Sequence, residues 1–126
     1  HGMSAELLIP PLLNALVGDR VWFDATPDKL PTDANGKILP FLLLSIMGGQ
    51  DQEYVEQEMG THTNIRLQIT AYVPDTASAR PLIDAARDAL LASAYTVGVY
   101  GSPVGVYDPA RKLRGRFQQY SVWLPQ

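Results

Sequence analysis

Between Thr63 and Val73 the chain alternates without a break: Ile65, Leu67, Ile69, Ala71 and Val73 fall on one side, Arg66, Gln68, Thr70 and Tyr72 on the other. Successive side chains of an extended chain point to opposite faces, so the pattern predicts a strand with one apolar and one polar face. Such a strand has to lay its apolar face on a second layer. Two segments are candidates for that layer. Ile83, Ala86 and Leu90 follow helical spacing, with Leu82 and Ala89 beside them. Asp75, Thr76 and Ser78 offer helix caps ahead of them, and Pro81 falls in the first turn, where proline is tolerated. The other candidate, Glu6 to Gly18, reads as an interrupted helix. Pro10 and Pro11 each remove an N–H donor and bias the preceding residue away from the α region, which predicts an opening turn, then a helix from about Pro11 that Gly18 stops.

The remaining segments read as strands and loops. Arg20–Phe23 is a short strand. Phe41–Met47 is an unbroken apolar run of strand length between Pro40 and Gly48-Gly49, the pattern of a strand covered on both faces. Val97–Tyr107 is β-rich but punctuated by Gly98, Gly101, Pro103 and Gly105, which predicts a bulged or edge strand, or a hairpin. Arg116–Leu124 is the last strand, with Tyr120, Val122 and Leu124 on one face and Phe117 and Trp123 on the other. Strands grouped in runs predict an α+β fold, a mainly antiparallel or mixed sheet of about four to six strands packed against two helices. Two connections, Asp24–Leu39 and Gly48–Thr61, are long for a compact domain, and long connections are commonly functional.

The 126 residues fit a single domain running from Met3 to Gln126, with His1-Gly2 read as a tag remnant. An apolar fraction of 46% and a charged fraction of 18% are those of a globular chain. No apolar run reaches the roughly 18 residues a membrane span needs. A signal peptide is not expected, because Pro10-Pro11 breaks the first apolar stretch and no basic leader precedes it. The lack of cysteine removes disulfides, thiolate nucleophiles and thiolate zinc sites, and is compatible with a reducing cytoplasm. A formal charge of −3 argues against a general nucleic-acid binder.

Catalytic equipment is scarce. His62 is the only histidine beyond the remnant, and no HxH, HxxxH or HExxH pattern surrounds it. No serine sits in a G-x-S-x-G elbow. Asp51, Glu53, Glu56 and Glu58 lack the spacing and central glycine of an EF-hand and read as a solvated loop or an extended arm. Gly98, Gly101 and Gly105 match neither a dinucleotide fingerprint nor a P-loop. The chain therefore reads as a non-enzyme without catalytic residues, metal or cofactor. A small metal-assisted hydrolase using Asp51, Glu53 or His62 is the enzymatic alternative.

Arg111-Lys112-Leu113-Arg114-Gly115-Arg116 holds four of the ten Lys/Arg residues. It reads either as a wet hairpin loop kept soluble by charge or as a patch facing an acidic partner, protein or passing DNA. The Phe41–Met47 run and the face carrying Phe117 and Trp123 offer more apolar surface than two short helices can cover, and a neighbouring subunit could bury the excess. These six residues, Arg111, Lys112, Arg114, Arg116, Phe117 and Trp123, are the candidate interaction residues. A monomeric module binding through the 111–116 loop remains an alternative.

The order of segments resembles the phage tail completion proteins, a family that includes tail-to-head joining proteins. The resemblance is carried by Leu16-Val17-Gly18-Asp19-Arg20-Val21-Trp22, Pro40-Phe41-Leu42-Leu43-Leu44, the strand Ile65 to Tyr72, the helix around Leu82 to Leu91, and Arg116-Phe117-Gln118-Gln119-Tyr120-Ser121-Val122-Trp123. It implies a small α+β subunit assembling as a ring, a hexamer, at the head-proximal end of a phage or prophage tail. Its partners would be itself, the tail tube protein and the head–tail connector, with DNA passing close by and no membrane. Assembly would take place in the host cytoplasm, and the protein would end in the virion tail.

Overall fold

The computed structural model describes residues 5–47 and 62–125. Five strands form one sheet in the order β1-β2-β3-β5-β4. They are β1 (Val21–Phe23), β2 (Phe41–Ile46), β3 (His62–Pro74), β4 (Thr96–Asp108) and β5 (Leu113–Pro125). β1 runs parallel to β2, and every other pairing is antiparallel, so the sheet is mixed. Helices α1 (Ala5–Leu8), α2 (Pro10–Leu13) and α3 (Arg80–Leu91) complete the α+β architecture.

The alternation in β3 sets the layers. Cross-strand partners share a face. Leu67 pairs with Ile46 and Tyr120, Ile69 with Leu44, Ala71 with Leu42, and Ile65 with Val122. Those residues make the covered face. Ile9, Leu13 and Val17 from the N-terminal turns and Ile83, Ala86 and Leu90 from α3 pack onto it in one core. A fully buried side chain of this size contributes about 1.5–3 kcal/mol, so this layer is the main source of stability.

The N-terminal helix differs from its expected form. The turn before it is α1, and α2 starts at Pro10, where the missing N–H would have no acceptor in any case. Instead of continuing to Gly18, α2 tightens after Leu13 into a 3-10 turn at Asn14–Leu16. Gly18 does stop it, in the left-handed region at φ 56°. At α3 the cap position is Ala79. Ser78 lies one residue further out, and its hydroxyl accepts the Arg80 N–H at 3.2 Å.

The expected double coverage of β2 holds at one end only. The Asp24–Leu39 connection folds back over the second face, where Leu30 buries against Phe41 and Leu113, flanked by Trp22, Ile38 and Tyr72. Phe41 meets Trp22 edge-on at 5.3 Å and stacks on Tyr72 at 5.2 Å. Further along the strand, Leu43 and Ser45 are only half-buried. The acidic Asp51–Glu58 stretch lies outside the described residues.

Tyr120 is fully buried in the main core, and its hydroxyl has no hydrogen-bond partner among the described residues. Burial pushes its ionisation above the usual tyrosine value; Arg87 opposes the shift, while Asp84 and Asp88 add to it. Replacing Tyr120 by Phe removes an unpaired polar atom at almost constant volume and is expected to add about 1 kcal/mol of stability. A group whose folded pKa is raised stabilises fully below its unfolded value. Above about pH 10 the unfolded chain releases a proton that the folded chain keeps, so stability falls with rising pH. Tyr120→Phe should therefore also flatten part of the alkaline loss, with the remainder coming from Tyr72, which burial shifts the same way. Urea unfolding at pH 8 and above pH 10 measures both effects. A lower midpoint for the variant at pH 8 would show that the hydroxyl is stabilising after all.

Candidate assembly surface

β4 and β5 join through a tight turn at residues 109–112. Asp108 Oδ1 accepts the backbone N–H groups of Ala110 and Arg111 at 3.1 and 3.3 Å, and its Oδ2 pairs with Arg111 Nε at 3.0 Å. That ion pair is partly exposed and contributes under about 1 kcal/mol. Lys112 takes the left-handed conformation that closes the turn, φ 56°, and its carbonyl accepts the Asp75 N–H at 3.0 Å.

β5 starts at Leu113, three residues before the expected start of the last strand. The basic stretch is consequently not a single loop. Arg111 and Lys112 lie in the turn, whereas Arg114 and Arg116 stand on the strand. Arg116 pairs with Ala71 and Arg114 with Val73, which places both arginines on the helix-bearing face. Arg114 Nε donates to the Asp75 carbonyl at 2.9 Å. Phe117 and Trp123, opposite Thr70 and Asn64, are on the other face. The six candidate residues thus divide between two faces and a turn.

The face away from the helices is polar along its centre. Arg66 lies 4.0 Å over the Tyr100 ring, Gln119 Nε2 donates to Gln68 Oε1 at 3.2 Å, and Asn64 Nδ2 donates to Ser121 Oγ at 2.7 Å. Phe117 and Trp123 flank this ladder half-buried.

Sequence reasoning did not single out the outer edge of β4 as a surface for contact. β4 is the last strand on its side of the sheet. Val99, Tyr100, Val104 and Tyr107 are 39–54% exposed along it. From Thr96 to Tyr107 there is no charged residue, and that absence was the readable signal. Edges are usually guarded by charge, a bulge or proline. Here the guards are Pro103 and the register shift between Tyr100 and Val104. Buried Gln118 secures the shift by donating its amide to the carbonyls of Tyr100 and Gly101.

Among the described residues no three His, Asp or Glu side chains gather where they could hold a metal ion. His62 opens β3 opposite Pro125, and Asp51 and Glu53 lie outside the described residues. No described helix is long and apolar enough to cross a membrane.

The described residues thus form a mixed sheet with helices on one face, an uncharged outer edge and a basic hairpin end. The chain matches the family Tail completion protein gp17 over residues 3–124 and belongs to it. It is accordingly a structural protein of phage tails, from a family that interacts with other tail and head components. A comparison with curated proteins gives no match.

Proposed function

We propose that the chain forms a homo-oligomeric ring at the head-proximal end of the tail, where it ends tube growth or joins the tail to the head connector. It does so by packing, without a reaction, metal or cofactor, and it assembles in the host cytoplasm. The family match over residues 3–124 carries this reading. The uncharged β4 edge supports it, since an exposed strand edge with apolar side chains is stable in solution mainly when a neighbour covers it. Arg111, Lys112, Arg114, Arg116, Phe117 and Trp123 are the proposed contact residues, with β4 added to them.

Two measurements test the reading. Inactivating the gene in the phage that carries it should leave filled heads separate from tails, or tails of abnormal length, by electron microscopy. Light scattering or native mass spectrometry of the purified chain, alone and with tail tubes, should reveal a closed oligomer. Virions of normal length and infectivity from the inactivated phage would reject the reading.

A further inference from the structure

Beside the hairpin, the β3–α3 turn, β4 and β5 enclose a shallow basin of about 540 Å³ on the helix-bearing face. Two rows of the sheet run beneath it. In the row nearer the hairpin, Tyr107 reaches across Arg114 to Asp75, whose Oδ2 accepts its hydroxyl at 3.5 Å. The next row runs from Ala71 through Arg116 to Gly105. Gly105 brings no side chain, and a Cβ built there would meet nothing within 4 Å, so this row is open toward the outer edge of the sheet. Arg116 stands behind the opening, half-buried in the basin lining and with no ion pair among the described residues.

The edge beyond Gly105 is itself unfilled. No described strand pairs with the outer side of β4. Successive residues of an antiparallel ladder turn their N–H and C=O groups alternately toward the partner strand and away from it, so every second residue of 104–108 offers both groups outward. Val104 and Tyr107 are exposed along this stretch, and no charge precedes Asp108 to repel an incoming chain. The register shift held by Gln118 ends the stretch at Val104, leaving five residues, an ordinary strand length.

Opening and edge share a register. A strand added to β4 would set one side chain beside Gly105 on the helix-bearing face. That position is two strand spacings from Arg116, about 10 Å between Cα atoms, a gap that a glutamate and an arginine side chain span together. Its two neighbours in the added strand would lie on the opposite face, beside Val104 and Val106, where apolar side chains fit. The matching sequence is therefore an acidic residue between two apolar ones. The described strands of this chain do not supply it. Their one carboxylate is Asp108, which is already paired with Arg111.

We propose that residues 104–108 of β4 take up an extended segment of another tail or head protein as an added strand, its acidic residue seated against Arg116 through the Gly105 opening. Backbone hydrogen bonds hold such a strand, and the side chains on its two faces select it. The proposal rests on the tail-subunit reading given above and names the chemistry of one contact within it.

The probe is a capped peptide of alternating valine and threonine with a lysine at each end, in which glutamate replaces the central threonine; its twin carries glutamine there. Each is titrated into the isotopically labelled full chain and followed by amide NMR. Shifts are expected at residues 104–108 and at the Arg116 Nε–H. The glutamate peptide should bind about fivefold more tightly than its twin at low salt, with a smaller difference at physiological salt. Arg116→Gln should abolish that preference. Gly105→Val, which closes the opening without a left-handed backbone to strain, should abolish it too. No shifts at millimolar peptide, shifts away from β4, equal affinity for the two peptides, or a preference that survives both variants would overturn the proposal. Concentration-dependent shifts in β4 without peptide would make a second copy the occupant and overturn it as well. Peptide failure together with defective tails from the inactivated phage would leave the tail-completion reading standing without this contact. Normal virions would remove that reading while leaving the peptide result intact.

Discussion

Phe41→Ala is expected to cost about 3–5 kcal/mol, a large share of the roughly 5–15 kcal/mol that holds a domain of this size folded. Phe41 is 1% exposed and is the common partner of Trp22, Tyr72, Leu30 and Leu113. Alanine leaves a cavity between the sheet and the Asp24–Leu39 connection. Opening of that connection should then precede global unfolding, because Leu30 is its only buried apolar residue. Its tip would survive as a local turn, since Asp33 Oδ1 accepts the N–H groups of Asn35 and Lys37 at 2.8 and 3.0 Å. Its far end stays tied by Arg20 Nε on the Pro40 carbonyl at 2.7 Å. Urea unfolding gives the global cost, and tryptic cleavage at Lys29 and Lys37 reports the local opening. A cost under about 1 kcal/mol with unchanged cleavage would mean that the connection is held elsewhere.

The features legible in the sequence were those written in a period. β3 and the second half of β5 alternate with period two, and α3 repeats at helical spacing, so their faces follow from the residues alone. The folding of Asp24–Leu39 over Phe41 was not legible. Leu30 and Ile38 stand apart in a polar stretch, and no spacing rule tells isolated apolar residues where to pack. Residues 113–117 carried a signal that the local charge hid. Leu113, Gly115 and Phe117 alternate with Arg114 and Arg116, a strand pattern whose uncharged side is the face away from the helices, where Leu113 packs with Leu30 and Phe41, and whose charged side is the helix-bearing face. The contact surface was harder to see because it is marked by missing charge along β4, and charge that is present draws attention more readily than charge that is absent.

The second large effect lies at Gly115, at the same junction. A Cβ there would come within 2.9 Å of both the Tyr72 ring and Val106 Cγ2, closer than side-chain carbons approach in folded proteins. Whether Gly115→Ala is tolerated depends on whether Tyr72 can move. Its ring stacks on Phe41, which is wedged in turn against Trp22, so the displacement meets packed aromatics on the far side. An overpacking cost of about 1–3 kcal/mol is expected for alanine, because the Tyr72 ring is held by its stack on Phe41. The same reasoning predicts the sign of the coupling with Phe41. In a Phe41→Ala background the Tyr72 ring gains room to retreat, so Gly115→Ala should cost less there than in the parent, by about 1 kcal/mol. A double-mutant cycle by urea unfolding reads this coupling directly. Additive costs would show that Gly115 is confined by Val106 and the β4 strand, and that the aromatic stack is not what holds Tyr72 against it.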